Sequence, residues 1–543
     1  CMMDSTLHYG DCLEVLRTFP DACVDLIYLD PPFNSNRDYN AFFAPPKDGG
    51  ASAQITAFED TWHWGEQAQR EFVELLRNPE GGSVSDILAA LRQFLGDNDM
   101  MAYLVMMASR LVELRRVLKD TGSLYLHCDP TASHYLKIVL DGIFGPVNFR
   151  NELIWKRSQP KSHVKINFPT THDVILRYAK TDLALFNKIY TEYNQEYINK
   201  FYRHKDADGR LYQLADLTNP NRNRPNLTYE FLGVTRVWRW TEKRMRAAYD
   251  EGRIAQTEPG SVPRYKRYLD EMQGQPITDL WDDIEHLHGT QSEYLGYPTQ
   301  KPVALLERII RASSNPGDVV LDPFCGCGTA IHAAQKLGRK WIGIDVTHLA
   351  ISLITQRIRK AFPDCAFQVS GAPKDVDSAR YLAESSGLEG RYQFQYWALS
   401  LIDALPAQDK KKGADGGLDG FIWAYDGPNA KKPFKIAVSV KSGKIPANHI
   451  RELAGLLNTS KDNTQMAFLL TLEEPSRKMR TDALAAGHYE YPNGKRFQCI
   501  QILTIRELLA GAKPDYLDYG EGRAVNKQAK REVKPGPKQA SLI

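Results

Sequence analysis

An excess of charge of either sign is missing: 69 Lys and Arg face 66 Asp and Glu, a formal net charge of +3 over 543 residues. A whole-molecule positive field for gathering polyanions is thereby excluded, and any nucleic-acid partner must be met by a local basic surface. Cysteine is sparse. Its eight positions (Cys1, Cys12, Cys23, Cys128, Cys325, Cys327, Cys365 and Cys499) contain no Cys-x-x-Cys pair and no even spacing. A zinc ribbon and a disulfide framework are excluded, and free thiols in a reducing compartment are expected. No apolar run approaches the ~18 residues that cross a bilayer, and no charged-then-apolar leader opens the sequence. A cytoplasmic chain with no membrane partner is expected. What is present is ordinary globular composition, 43% hydrophobic and 25% charged, with room for about three domains.

Within that ordinary background one stretch stands out: Leu26-Ile27-Tyr28-Leu29-Asp30-Pro31-Pro32-Phe33-Asn34. A strand-like run ends in an acid, two prolines and a ring. Proline has no N–H and biases its predecessor away from helix, so the chain must leave the sheet at Asp30 as a rigid loop. That loop offers a carboxylate, carbonyls without competing amide donors, and a flat ring, a set able to hold a planar amino-bearing group. A plain structural turn would read the same way. Upstream, His8-Tyr9-Gly10-Asp11 leads into Leu13, Val15 and Leu16 at helical spacing, giving strand, Gly-Asp turn, helix, strand. Asp11 and Asp30 then both end strands, where open α/β sheets collect ligands, although a helix N-cap is the alternative for Asp11.

Residues 34–100 read as an insertion with helices around 66–77 and 84–96. A helix over 101–118 follows, with Leu104, Met107, Leu111, Leu114 and Leu118 in step and a stop at Thr121-Gly122. Ser123–Asp129 reads as a buried strand, 131–144 as a helix, and 151–157 with 173–178 as an antiparallel pair. Between 186 and 275 the sequence carries 16 Lys and Arg, 12 Asp and Glu, and 14 aromatics. Basic and aromatic residues alternate there, as in Tyr202-Arg203-His204-Lys205, Arg236-Val237-Trp238-Arg239-Trp240 and Arg264-Tyr265-Lys266-Arg267-Tyr268. Arginine suits phosphate contact and guanine readout, and flat rings suit base stacking, so nucleic-acid contact is expected, with a solvated face the alternative for any one cluster.

The second key stretch is Val319-Val320-Leu321-Asp322-Pro323-Phe324-Cys325-Gly326-Cys327-Gly328-Thr329. A strand ends in Asp-Pro, turns through two glycines and enters a helix; the next strand ends at Asp345. Such a turn lets backbone approach a nucleotide-like ligand, with the later acid on ribose hydroxyls. The Gly-x-Gly-x-x-Gly pattern lacks its third glycine, and Asp322 would face the ligand. A carboxylate there suits a cation better than a pyrophosphate, and S-adenosylmethionine is such a cation.

Asp-Pro-Pro-Phe early and Asp-Pro-Phe-x-Gly-x-Gly-Thr late, separated by a basic segment, resembles the β-class amino DNA methyltransferases. The match runs from about Leu7 to Ile358, with Gly10-Asp11 and Pro298-Thr299-Gln300-Lys301-Pro302 also fitting. The resemblance implies a circularly permuted, Rossmann-like α/β methyltransferase using S-adenosylmethionine. Its catalytic half would be 1–185, its target-recognition region 186–290 and its cofactor half 291–372. It implies catalytic roles for Asp30, Pro31, Pro32 and Phe33. Cofactor contacts would come from Asp11, Asp30, Lys301, Pro302, Asp322, Pro323, Phe324, Gly326, Gly328, Thr329 and Asp345; Cys327 stands where the family usually has Ser. Contacts with double-stranded DNA, the implied partner, would come from Arg203, Lys205, Arg222, Arg224, Arg236, Arg239, Lys266 and Arg267. The reaction implied is methylation of a flipped base, adenine N6 ahead of cytosine N4, in restriction–modification or phage defence, with a homodimer or a restriction subunit as possible partners.

After a linker at 373–389, residues 390–515 resemble Mrr-type PD-(D/E)xK endonuclease-like domains. Asp419 would be the metal acid and Lys441 the catalytic lysine, with Mg²⁺ as the implied metal. Ser439 stands where that family has a carboxylate or Gln, and Gln395 where it often has Glu, which weakens a Mg²⁺ site. A combined methyltransferase–endonuclease and a DNA-binding module without chemistry therefore stay open. Residues 516–543 read as a basic, disordered tail.

Overall fold

Strand Val24–Leu29 is buried from Leu26 onward on both of its faces. A segment of this kind is stable at the centre of a sheet covered on both sides. The computed structural model places it there. Residues 4–32, 37–43, 53–60, 63–77, 83–159, 166–288, 291, 293–295, 297, 299–384, 388–407, 418–428, 430, 432–445, 448–457 and 463–519 are described. Among them, nine strands form one sheet in the order Leu280–Trp281, Phe149–Lys156, His172–Ala179, Leu118–Cys128, Val24–Leu29, Val319–Asp322, Lys340–Asp345, Thr6–Tyr9, Gln368–Ser370.

Val24–Leu29 pairs in parallel with Leu118–Cys128 on one side and Val319–Asp322 on the other, the latter in register Val320 to Leu26 and Leu321 to Ile27. The chain runs outward in opposite directions from that junction, which makes it the switch point of the sheet. The crevice at the carboxyl ends therefore opens between Asp30 and Asp322. Phe149–Lys156 and His172–Ala179 are the expected antiparallel pair. Thr6–Tyr9 pairs in parallel with Lys340–Asp345 and Gln368–Ser370. The first strand thus sits in the half read as cofactor-binding, although 1–185 was assigned to the catalytic half.

Helix Asp99–Val117 covers one face. Asn98 caps it by accepting from the Met101 N–H at 2.9 Å, and Met101, Leu104, Met107, Leu111 and Leu114 are buried. The expected stop at Thr121-Gly122 comes late, because the backbone is already extended at Leu118, where strand Leu118–Cys128 begins. Gly122 lies inside that strand, and a Cβ there would sit 2.8 Å from the Asp25 carbonyl oxygen and 2.4 Å from Leu118 Cδ1. This glycine permits close strand approach. Helices Glu66–Arg77 and Val84–Leu95 stand where helices around 66–77 and 84–96 were expected.

The C-terminal residues form a second sheet, in the order Leu405–Pro406, Gly420–Ala424, Phe434–Lys441, Thr464–Thr471, Ile500–Thr504. Alternate residues of its central strands face opposite cores: Ile436, Val438, Phe468 and Leu470 meet Phe394, Trp397 and Leu399, while Ala437, Ala467 and Leu469 meet Ile450, Leu453 and Met479. The stretch read as a linker contains helix Val376–Glu384, whose Ala379 and Ala383 belong to the first of those cores. Residues read as the start of a disordered tail are also engaged. The Tyr519 N–H donates to the Tyr425 carbonyl at 2.9 Å, and Tyr516 and Leu517 pack on the same core. The rest of that tail lies outside the described residues.

Lys188–Thr278 is a separate compact unit. Its four-stranded sheet runs Ile254–Ala255, Arg264–Tyr268, Leu211–Asp216, His204–Lys205, and a hairpin joins Thr228–Phe231 to Val234–Val237. The region read as ending at 290 stops earlier, since Leu280–Trp281 already pairs with Phe149–Lys156 in the large sheet. Rings expected to stack on bases are largely core instead: Trp238 is fully buried beside Phe231 and Met245, and Tyr202 and Tyr268 are buried. The alternation of basic and aromatic residues is partly the two-residue period of strands with one face inward.

Candidate active site

The crevice between Asp30 and Asp322 continues into a cavity of about 500 Å³. Its lining includes Asp11, Asp30, Pro32, Lys301, Asp322, Pro323, Phe324, Gly326, Thr329 and Asp345, so most residues singled out in sequence lie on one surface. Pro31 is buried behind it. Pro302 is instead the N-cap of helix Val303–Ser313. Gly328 has φ +74°, and a Cβ there would come within 2.7 Å of Ile354 Cγ1, so it serves helix packing and not the cavity surface. Phe33 and Pro298 lie outside the described residues.

Four carboxylates meet this cavity in different settings. Asp322 is 3% exposed; its Oδ1 accepts from the Phe324 N–H at 3.1 Å, and burial pushes its carboxyl well above the usual range. Asp345 Oδ2 accepts from the Gly326 N–H at 2.9 Å, and its Oδ1 accepts from the Thr347 N–H at 2.9 Å and hydroxyl at 2.8 Å. Burial raises the Asp345 carboxyl to about 6, against the lowering effect of those bonds. Gly326 has φ +47°, and a Cβ there would press on the Tyr297 ring at 3.3 Å, so glycine is what lets this N–H reach Asp345. Asp11 is the helix N-cap foreseen as its alternative, and it also lies on the cavity wall. Its Oδ1 caps a helix by accepting from the Leu13 N–H at 2.8 Å, and its Oδ2 accepts from Arg110 Nη2 at 2.7 Å on the cavity wall.

Asp30, the fourth, is held by an ion pair. Lys301 Nζ donates to its Oδ2 at 2.5 Å, with both side chains largely buried. Its Oδ1 is buried with no hydrogen-bond partner among the described residues. Behind it runs a buried chain that ends on an exposed arginine: the Tyr28 hydroxyl lies 3.0 Å from His127 Nδ1, His127 Nε2 lies 3.1 Å from Asp173 Oδ2, and Arg157 Nε lies 3.0 Å from Asp173 Oδ1. Burial, with Asp30 and Asp322 nearby, raises the Tyr28 phenol well above its ordinary value, so it stays protonated.

Sequence reading missed Arg110, Tyr28, His127 and Asp173 as site residues. Arg110 was visible as a lone cation within the apolar run Met101–Leu111, and His127 and Asp173 as polar residues in buried strands. Gln393 and Tyr396, which also line the cavity, gave no such signal.

The basic residues foreseen as DNA contacts divide. Arg203, Lys205, Arg222, Arg224, Arg236, Arg239 and Arg267 are exposed. Arg239 Nε donates to the Thr218 carbonyl at 2.8 Å and Arg203 Nε to the Lys200 carbonyl at 2.7 Å, which holds both side chains near the backbone. Lys266 is held inward, its Nζ 2.9 Å from Asp206 Oδ2. In the C-terminal sheet, Asp419, Ser439 and Lys441 do converge. Asp419 Oδ2 accepts from the Val440 N–H at 2.7 Å and from Ser439 Oγ at 3.0 Å, with Lys441 Nζ at 3.8 Å. Ser439 Oγ also lies 3.0 Å from His449 Nε2. Burial raises the Asp419 carboxyl, Lys441 opposing. Among the described residues no three His, Cys, Asp or Glu side chains are grouped to hold a metal ion.

Asp345 gives a test by itself. Its carboxyl moves from an ordinary 3.8 to about 6 on folding, so the neutral form favours the fold. That contribution is present below about pH 4 and lost as the pH rises through about 6. Asp345→Asn fixes a neutral side chain. The urea midpoint of the variant, relative to the unaltered chain, is expected to rise across that window by the equivalent of roughly 2–3 kcal/mol. A difference that stays level shows Asp345 ionising normally.

Known proteins are similar to this chain in sequence. The chain is 34% identical over 260 residues, 47% of its length, to the Type II methyltransferase M.EcaI of Enterobacter cloacae, and covers 57% of that protein. It is 27% identical over 350 residues, 61% of its length, to the Type III restriction-modification enzyme StyLTI Mod subunit of Salmonella typhimurium, and covers 50% of it. With the DNA adenine methyltransferase YhdJ of Escherichia coli it shares 25% identity over 353 residues, 65% of this chain and 82% of that one. The chain thus spans little more than half the length of the first two. The DNA methylase family matches residues 24–356, more than half of the sequence, and the chain belongs to that family.

Proposed function

We propose that this protein transfers a methyl group from S-adenosylmethionine to an exocyclic amino group of DNA, adenine N6, in a restriction–modification or phage-defence setting. The observation that carries the reading is Asp30 Oδ1, a buried acceptor without a partner among the described residues, on a residue that lines the cavity together with Asp322 and Asp345. An acceptor left bare in a buried position costs about 1–3 kcal/mol, and an amino hydrogen of the substrate supplies what it lacks. The donor set also fits a cationic nucleoside: Asp345 for ribose hydroxyls, Asp322 for positive charge, and about 500 Å³ of room. When bound, S-adenosylmethionine supplies an electrophilic methyl carbon on a sulfonium. Adenine is preferred because the motif begins with Asp30, and because one relative is named a DNA adenine methyltransferase.

In this reading the target base leaves the duplex stack to reach the pocket. Asp30 and the Pro31 carbonyl accept the two amino hydrogens and draw the nitrogen lone pair out of conjugation, and Phe33 is assigned to the face of the ring. Lys301 fixes the Asp30 carboxylate so that its second oxygen keeps one direction. Having accepted the methyl group, the nitrogen sheds a proton to that carboxylate. Positioning and alignment then carry most of the rate, with no covalent enzyme intermediate.

The decisive experiment incubates plasmid with tritiated cofactor and identifies the labelled base. N6-methyladenine is expected. Asp30→Asn is expected to lower the rate by about 10³-fold while the cofactor dissociation constant moves less than about threefold; substantial residual transfer rules out the role given to Asp30.

For DNA, the exposed Arg222, Arg224 and Arg236 are assigned to phosphates. Each substitution to Ala should lower the slope of log affinity against log salt by about one. Lys266→Ala should leave that slope unchanged and destabilise the Lys188–Thr278 unit, since Lys266 is committed to Asp206.

The C-terminal domain is read as a DNA-binding or regulatory descendant of a nuclease. A hydroxyl stands at Ser439, where the resembled family has a carboxylate or Gln, and the partly buried Asp419 is already engaged by Ser439 and the Val440 N–H. Supercoiled plasmid should stay uncut with Mg²⁺; linear product would favour the combined methyltransferase–endonuclease.

A further inference from the structure

The cavity is not closed by the methylase family region alone. Gln393 and Tyr396 line it as well, and both belong to helix Leu388–Ser400, beyond the last residue of the family match at 356. Phe394, Trp397, Ala398 and Leu399 of that helix are buried in the core of the C-terminal sheet. One helix therefore packs into the second fold while two of its polar side chains face the first.

The contacts fall at one end of the cavity. Gln393 Oε1 accepts from the His348 N–H at 3.4 Å, just past Asp345, Val346 and Thr347, which all line the cavity. Tyr396 joins an apolar cluster of Tyr297, Cys327 and Leu349 with Leu405 and Phe421 of the C-terminal sheet. Tyr297, Cys327 and Leu349 are themselves cavity residues. Two positions from Gln393, and so about 200° around the helix, Gln395 Nε2 donates to the Asp419 carbonyl at 3.4 Å. The same helix thus touches the cavity with one glutamine and the Asp419 cluster with another.

We propose that helix Leu388–Ser400 is a wall of the cofactor site: Gln393 and Tyr396 contact the adenosyl part of the ligand, and its binding stabilises the C-terminal domain. A carboxamide and a phenol are uncharged, and offer hydrogen bonds and a flat face to the ribose hydroxyls or the base, whereas Asp322 serves the charged end. The proposal rests on the methyltransferase reading above. Because a ligand that binds only the folded wall must also hold it in place, occupancy and the folding of this helix are linked.

The test uses the full chain with S-adenosylmethionine and its demethylated product as probes. Gln393→Ala and Tyr396→Ala should each raise the cofactor dissociation constant, and KM for it, by about tenfold. At saturating cofactor kcat should stay within about threefold, since neither group touches the reacting atoms. In the unaltered chain, adding the product should slow backbone hydrogen exchange in 388–400 and in Gly420–Ala424, a readout that does not depend on the variants folding. Unchanged dissociation constants in folded variants overturn the proposal, as does exchange in 388–400 that ignores the ligand. Failure of the unaltered chain to bind either probe overturns the methyltransferase reading and this one together.

Discussion

The parallel pairing of Val24–Leu29 with Val319–Asp322 is the constraint on which the rest of the molecule depends. The two segments are distant in sequence, and each ends in Asp-Pro. Their register, Val320 against Leu26 and Leu321 against Ile27, puts both acids at one edge of the sheet. Backbone hydrogen bonds between buried strands cannot slip by one residue without turning every side chain to the opposite face. The spacing of Asp30 and Asp322 is therefore set by the sheet and not by the loops that carry them. Lys301, which leads into helix Val303–Ser313, completes the junction by reaching back to Asp30.

Burying acids at this junction has a cost, and the structure meets it unevenly. Asp345 is given three donors, Asp30 a lysine, and Asp322 a single N–H. A buried charge with little compensation favours its neutral form or a cationic partner, which is why Asp322 is the position best matched to a positively charged ligand. Removing one partner of a buried ion pair leaves the other uncompensated, so Asp30 and Lys301 act as a unit. The buried chain from Tyr28 through His127 to Asp173, closed by the exposed Arg157, backs the same loop.

Elsewhere the same chemistry of burial turns features of the sequence to other purposes. In Lys188–Thr278 the aromatics build a small core around Trp238, and the arginines between them are left outside by strand alternation. In the C-terminal sheet Asp419, Ser439 and Lys441 lie together and His449 joins them, as a hydrogen-bonded group with no metal-holding cluster of acids, histidines or cysteines among the described residues.

Much of the central sheet and the acids that end its strands at the cavity were legible in the sequence, because their signals are local. Asp-Pro-Pro ends a strand wherever it occurs, Gly-x-Gly permits one kind of turn, and apolar periodicity marks a buried helix. Arg110, His127 and Asp173 could be noticed only as polar residues out of place, since their partners Asp11, Tyr28 and Arg157 come from other elements. Gly122 was misread as a helix stop because its neighbour Asp25 is remote in sequence. Gln393 and Tyr396 could not be read at all: nothing about a glutamine and a tyrosine in a helix says which cavity they border. By itself, then, the sequence determined where strands end and which acids end them, since backbone chemistry at proline and glycine is local. Which side chains share a cavity was decided only by tertiary structure, because that depends on the order and register of strands far apart in the chain.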